Sequence, residues 1–121
     1  MANTFKVVTF AAEPASAGTP YLMYTVASST TAVVLGLVLS NINTTAVTAE
    51  VELVSTTSSR GGANNVANGT SFLIKDVSIP TGSSLEILSG GKVVLEAGDK
   101  IQIDCSVADK LSGTLSIMEI T

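Results

Sequence analysis

The chain has 121 residues and a mass of 12.3 kDa, which suits a single domain. It contains no histidine and no tryptophan, and Cys105 is its single cysteine. This composition excludes Ser-His-Asp and Cys-His catalytic groups, zinc sites built from Cys and His, intrachain disulfides and cysteine-held iron–sulfur clusters. Ten acidic residues against six basic ones give a net charge of −4, so a basic nucleic-acid-binding face is not expected.

The residue types favour strands over helices. Val, Ile and Thr together supply 37 of the 121 residues, and β-branched side chains pack well on a pleated sheet. Alternation with period two recurs along the chain, whereas no stretch has a helical period. We therefore predict that residues 1–121 form one all-β domain, an antiparallel β-sandwich of about eight or nine strands with a jelly roll as one arrangement.

The first predicted strand, residues 4–10, has apolar side chains on both faces. An end strand of this kind promotes aggregation unless something covers it. Residues 1–20 are therefore either an interaction arm that pairs with a neighbour's sheet, or a strand that closes the domain's own sandwich. The candidate interface residues of this segment are Phe5, Val7, Val8 and Phe10.

The second, third and fourth predicted strands cover residues 21–26, 33–42 and 46–54. The third is apolar on both faces, which is typical of a strand buried on two sides. Gly36 at its centre indicates a β-bulge.

The segment that joins the third and fourth strands, residues 41–45, is short and rich in turn-forming residues. This predicts a β-hairpin. Side chains from both strands are then expected in one core: Leu37, Leu39, Val51 and Leu53.

A long polar segment, residues 55–69, follows the fourth strand. Its length exceeds that of most connections in a compact domain, and such loops are usually functional or disordered. The candidate interface residues of this loop are Arg60, Asn64 and Asn65.

Frequent turn signals divide the second half of the chain into short strands. Ile79-Pro80-Thr81-Gly82 predicts a turn, because Pro fixes φ and Gly accepts a positive φ. The last strand again has apolar residues at both odd and even positions. The predicted strands are residues 70–77, 85–88, 93–96, 101–107 and 114–120.

Carboxylate pairs are the only catalytic chemistry that the composition permits. The candidates are Glu96, Asp99, Asp104 and Asp109. Their positions beside turns, on an outward strand face or in a loop favour solvated charges, and no segment has the ligand spacing of a calcium loop. Cys105 shares a strand face with Ile101 and Ile103, which predicts a buried, inert thiol. We expect neither an enzyme nor a bound cofactor or metal.

Charged residues are scarce in the first half of the chain. The charged residues between positions 11 and 59 are Glu13, Glu50 and Glu52. In a typical globular protein, about a quarter of all residues are charged. Either Ser, Thr and Asn coat this half, or neighbouring subunits of an assembly cover it. The longest apolar run, residues 32–39, is short of the about 20 that span a bilayer, and the start lacks a secretory leader. We expect a soluble protein that does not bind membranes.

Several segments, taken in order from about residue 20 onward, resemble the small virion structural proteins of tailed bacteriophages, most strongly those of marine and cyanobacterial phages. The segments that carry the resemblance are Tyr24-Thr25-Val26, residues 30–34, Leu39-Ser40-Asn41 with residues 44–48, and residues 79–85, 94–101 and 116–120. Each is a strand-turn motif, and their order together is distinctive.

The resemblance implies a non-enzymatic virion subunit, assembled in the host cytoplasm, that binds other virion proteins and forms a homo-oligomer. A cement or decoration protein on the capsid surface is the first expectation, with the major capsid protein as partner. A neck, tail or fibre accessory protein is the alternative, and so is a module that binds a host surface or glycan. The motifs carry no catalytic residues, and the segment through Pro20 lies outside them.

Overall fold

The computed structural model describes residues 2–55, 69–88 and 91–121. These residues form nine β-strands and no helix, which confirms the predicted all-β sandwich. The strands are β1 (Asn3–Glu13), β2 (Tyr21–Thr25), β3 (Thr31–Asn41), β4 (Val47–Val54), β5 (Thr70–Ile79), β6 (Ser84–Glu86), β7 (Val93–Leu95), β8 (Lys100–Cys105) and β9 (Leu111–Ile120).

The strands form two antiparallel sheets that pack face to face. Sheet I has the order β1-β9-β3-β6, and β7 pairs with β3 beside β6; sheet II has the order β2-β8-β4-β5. The chain thus behaves as one long hairpin, with β1 against β9, β2 against β8, β3 against β6 and β7, and β4 against β5. This hairpin is wrapped so that its pairs alternate between the sheets, which is a jelly roll.

The core lies between the sheets and takes alternate residues from each long strand. β3 contributes Leu37 and Leu39, β4 contributes Val51, and all three are completely buried in one cluster. Leu53 is partly buried and packs against that cluster. The expectation that these four side chains share a core is therefore confirmed.

The predicted hairpin between β3 and β4 is wrong. β3 pairs with β9, β6 and β7 in sheet I, whereas β4 pairs with β5 and β8 in sheet II. The connection is a corner where the chain crosses between sheets. The buried Asn41 fixes it: its Nδ2 donates to the carbonyl oxygens of Thr45 at 3.0 Å and Ile79 at 2.8 Å, and its Oδ1 accepts from the Asn43 N–H at 2.8 Å.

The bulge predicted at Gly36 is present. Val34 pairs with Ile117 and Gly36 with the next residue, Ser116, so Leu35 is the extra residue on β3. The extra residue changes which side chains face inward. Val33 and Leu35 lie on the outer face of sheet I, while Leu37 is buried between the sheets. β3 is therefore buried on one face only, and the expectation of burial on two sides is wrong.

Two of the four carboxylates expected to be solvated are buried, Asp99 and Asp104. Asp99 accepts a hydrogen bond at 3.0 Å from the Glu96 N–H across the β7–β8 turn. The Oδ1 of Asp104 accepts from the Gly18 N–H at 3.2 Å and from the Cys105 N–H at 2.8 Å. Both carboxylates accept hydrogen bonds from main-chain N–H groups, which is why their burial is tolerated.

Candidate protein-interaction surface

The outer face of sheet I carries a row of apolar side chains across four strands. Phe5 of β1 lies opposite Met118 of β9, Met118 lies opposite Val33 of β3, and Val33 lies opposite Val94 of β7. Phe5 is 71% exposed and Val94 is 62% exposed. The row therefore runs across the sheet with solvent over both of its ends.

Neighbouring side chains widen this row into a patch. Val7, 63% exposed, and Leu35 lie on one side of the row. We call the patch the apolar face; its members are Phe5, Val7, Val33, Leu35, Val38, Val94, Met118 and Ile120. Single exposed apolar residues are ordinary on a protein surface, whereas a patch of several neighbouring ones is a candidate interaction site.

The outer face of sheet II has the opposite character. Glu50 of β4 lies opposite Asp104 of β8, and Glu52 lies opposite Gln102. The Nζ of Lys75 is 3.2 Å from Glu50 Oε1 and 4.4 Å from the ring centroid of Phe72. Burial raises the pKa of Glu52, and the nearby carboxylates of Glu50 and Asp104 raise it further. Sheet II therefore carries charged side chains on its outer face, as expected next to water, together with the exposed Leu22 and Phe72. On sheet I, Glu86 lies opposite Val38 at the border of the apolar face.

A small polar network joins the two sheets beside β1. The Nζ of Lys6 is 2.7 Å from Glu119 Oε1, and the Tyr24 hydroxyl of sheet II donates to Glu119 Oε2 at 2.5 Å. The Lys6 ammonium and the Tyr24 hydroxyl lower the pKa of Glu119. Burial, and then the contact with Glu119, raises the pKa of Tyr24. Lys6 thus lies on the inner side of β1, while Phe5 and Val7 lie on the outer side.

The four candidate residues of the first strand divide into two pairs. Phe5 and Val7 belong to the apolar face. Val8 packs against the core, and Phe10 is only 8% exposed, with its ring 5.2 Å from that of Tyr21. A Cβ on Gly113 would lie 2.2 Å from the Phe10 ring, so the glycine makes room for it. Phe10 is a core side chain and is not available for contact with a partner.

The structure shows β1 as a strand of the domain's own sheet, the second of the two arrangements considered for residues 1–20. Its register with β9 is regular from Asn3 to Phe10. Whether β1 also contacts a partner stays a prediction. The remaining candidates, Arg60, Asn64 and Asn65, lie outside the described residues.

Sequence reasoning missed six of the eight members of the apolar face: Val33, Leu35, Val38, Val94, Met118 and Ile120. The signal was present, because β3 and β9 each have apolar residues at both odd and even positions. One set had to face away from the core. The sequence predicts that another layer of the protein buries the second set of apolar side chains on β3. In the structure this set lies on the outer surface of sheet I.

Other features of the described residues bear on catalysis and ligand binding. A cavity of about 200 Å³ beside Gly18, Glu50 and Asp104 is smaller than most small-molecule sites. No described cluster of His, Cys, Asp or Glu suits a metal ion. Cys105 is buried, and burial raises the pKa of its thiol, which keeps it unreactive. Within the described ranges, no helix is long and apolar enough to cross a membrane.

Together, these features define a jelly roll in which sheet I carries a patch of exposed apolar side chains on its outer face. Comparison with protein-family models, curated proteins and solved structures finds no match to this chain.

Proposed function

We propose that this protein is a non-enzymatic structural subunit of a phage virion that binds another virion protein through the apolar face. The observation that carries the proposal is the contrast between the two sheets: Glu50, Glu52 and Lys75 lie on the outer side of sheet II, while the eight members of the apolar face are uncharged and Glu86, opposite Val38, lies at its border. Burying apolar area contributes about 25 cal/mol per Å², so an exposed face of this kind gains free energy when a partner covers it.

The virion as the setting rests on the sequence resemblance to small virion proteins of tailed phages. Within the virion, we favour the capsid surface, where the protein acts as a cement or decoration subunit on the major capsid protein. A sheet face with a patch of uncharged apolar side chains suits docking onto a large regular surface. A neck, tail or fibre position is the alternative, and a host-surface or glycan-binding module is a further one.

The test is binding of purified protein to particles that lack it, measured by co-sedimentation. We expect Val94→Glu to abolish binding, because it places a charge on a face that must lose its water. The matched control is Leu22→Glu on the outer face of sheet II, where Leu22 is 44% exposed. It should bind as the wild type does, and both variants should unfold at the wild-type midpoint.

Equal binding by all three proteins would contradict the role of the apolar face. Cryo-electron microscopy of the bound particle then shows whether the protein lies on the capsid surface or at the neck, tail or fibre. Density on the capsid lattice supports the decoration role, and density at the neck, tail or fibre supports the alternative. Absence from every particle, combined with binding to a glycan, would overturn the structural-subunit proposal.

A further inference from the structure

The free edge of β1 differs from every other sheet edge in the described residues. β6 and β7 are three residues each, and β2 has five residues with a register shift after Leu22. β5 is long, but its pairing with β4 shifts twice and Asp76 has a φ of 52°. Short strands, bulges and irregular backbone are the usual protection against edge-to-edge pairing. β1 has none of these between Asn3 and Phe10.

The hydrogen-bonding pattern shows which main-chain groups of β1 point outward. Ala2 and Thr121 exchange both of their N–H···O bonds, at 3.1 and 3.0 Å. Antiparallel pairs alternate between bonded and non-bonded residues, so Thr4, Lys6 and Val8 bond to β9. The N–H and C=O groups of the residues between them face away from β9, toward the open edge. These residues are Asn3, Phe5, Val7 and Thr9.

We infer that a second copy of this chain pairs with this edge, β1 against β1 in antiparallel orientation. Two copies of β1 can exchange main-chain hydrogen bonds when the two-fold axis passes through Phe5 or through Val7. In both registers, residues whose N–H and C=O groups point outward lie opposite one another. Identical apolar side chains then meet at the axis, and apolar cross-strand pairs stabilise a sheet. Lys6 lies opposite Thr4 in the first register and opposite Val8 in the second. A register centred on Lys6 is disfavoured because two ammonium groups would be directly opposed.

Charge favours a second copy at this edge over the outer side of sheet II. The chain carries a net charge of −4, and Glu50, Glu52 and Asp104 line the outer side of sheet II, so two copies repel each other there. The outward side chains of β1 are uncharged. Its one cation, Lys6, is already paired with Glu119.

The dimer also provides the area that a single copy lacks. From strand spacing and rise, the apolar face of one chain covers about 300–400 Å², whereas a stable interface takes about 800 Å² from each partner. A two-fold axis between antiparallel strands is perpendicular to the sheet, so both apolar faces lie on the same side. Pairing at β1 therefore joins two faces into one continuous platform. The dimer itself does not depend on the virion proposal.

The test is sedimentation equilibrium of the full chain over a wide concentration range. We expect a reversible dimer of twice the 12.3 kDa chain mass. Val7→Pro removes an edge N–H without removing a bond to β9, and proline is tolerated on an edge strand. We expect this variant to be monomeric with an unchanged unfolding midpoint. The control, Val94→Ser, alters the apolar face but not the edge, and should remain dimeric.

Amide hydrogen exchange supplies a second measurement that needs no variant. The amides of Phe5 and Val7 should exchange slowly in the dimer and rapidly on dilution, while those of Lys6 and Val8 stay slow throughout. A wild-type chain that is monomeric at every concentration would overturn the inference. So would a folded Val7→Pro dimer, a monomeric Val94→Ser variant, or edge amides that exchange at the rate of an unpaired strand. If Val7→Pro fails to fold, the exchange pattern decides.

Discussion

Completely buried aliphatic side chains from both sheets form the centre of the sandwich, and Leu39 is one of them. Truncating a buried leucine loses its transfer free energy and leaves a cavity. We predict that Leu39→Ala lowers the free energy of unfolding by about 2–5 kcal/mol, measured by urea denaturation. This is a large part of the roughly 5–15 kcal/mol typical of a small domain.

The matched control for this prediction is Leu22→Ala, the same change at an exposed position. It should alter the free energy of unfolding by less than about 0.5 kcal/mol. Equal effects at the two positions would show that Leu39 does not lie in the core.

Glu119 gives the stability of the fold a predictable pH dependence. Its pKa is lowered in the folded state, mainly by Lys6 and then by Tyr24. A lowered pKa means that the carboxylate stabilises the fold above the ordinary glutamate pKa of about 4.3, and that this stabilisation is lost as the pH falls through the folded-state value. We predict that Glu119→Gln lowers stability at neutral pH and removes part of the acid-induced loss.

The measurement compares the unfolding free energies of the two proteins from pH 7 down to pH 3, a range that spans glutamate titration. Glu52, whose pKa is raised by burial, acts in the opposite sense, but it is present in both proteins and cancels in the difference. Glu86→Gln, at an exposed position of sheet I, is the control. If the unfolding free energies of the wild type and Glu119→Gln differed by the same amount at every pH in this range, the prediction would be contradicted.

The bulge in β3 decides which side chains become core. With Leu35 removed, Val34 and Leu37 still face inward, because a regular strand would place Gly36 between them. We predict that deleting Leu35 leaves a folded protein. Deleting Val38, in a regular part of the same strand, turns every side chain on one side of the deletion to the wrong face.

Circular dichroism and thermal unfolding check this pair of deletions. The Leu35 deletion should retain a cooperative transition, and the Val38 deletion should lose it. Equal loss in both would mean that the bulge itself is required, for the curvature of sheet I and not only for its register.

A deletion of most of β1 can be compared in the same way with a substitution on its exposed side. Removing residues 1–12 takes Phe10 out of the core. It also exposes the main-chain edge of β9 that pairs with β1. Loss of a buried phenylalanine alone costs about 3–5 kcal/mol, so we predict that the truncated chain does not fold cooperatively. Phe5→Ser, on the exposed side of the same strand, should fold normally. A truncated chain of wild-type stability would restore the interpretation of β1 as an arm.

Strand positions could be predicted from the sequence, but strand partners could not. Period-two alternation located every strand to within a few residues, and Gly36 located the bulge. The failure at residues 41–45 has a physical cause: Asn and Thr side chains that cap main-chain groups suit a tight hairpin and a corner between sheets equally well. The long-range pairing of β3 with β9 decides between a hairpin and a corner. The alternation of apolar and polar residues carries no information about which strands pair.

Two of the eight side chains of the candidate surface were predictable, for a related reason. Phe5 and Val7 were identified because a short end strand with two apolar faces is conspicuous. Val33 and Val94 lie in separate strands, far apart in sequence, and become neighbours only through the β3–β7 pairing. A surface assembled from four strands is a property of the topology, so it was out of reach before the strand order was known.

At the scale of the whole molecule, the two outer surfaces differ in how they respond to salt. Charges on sheet II interact over a Debye length of about 10 Å at 0.1 M salt and about 3 Å at 1 M. The apolar face has no charges to screen, and burial of apolar area depends little on ionic strength over this range. The two surfaces can therefore be distinguished without any substitution.

We predict that the affinity for particles changes less than about threefold between 0.1 and 1 M sodium chloride, because an uncharged interface has no Coulombic attraction to lose. Burial of the apolar face should also give binding a negative heat-capacity change. Isothermal titration calorimetry at several temperatures and two salt concentrations measures both quantities. A steep loss of affinity in salt, with a heat-capacity change near zero, would assign the contact to the charged surface of sheet II, since that surface holds Glu50, Glu52 and Lys75.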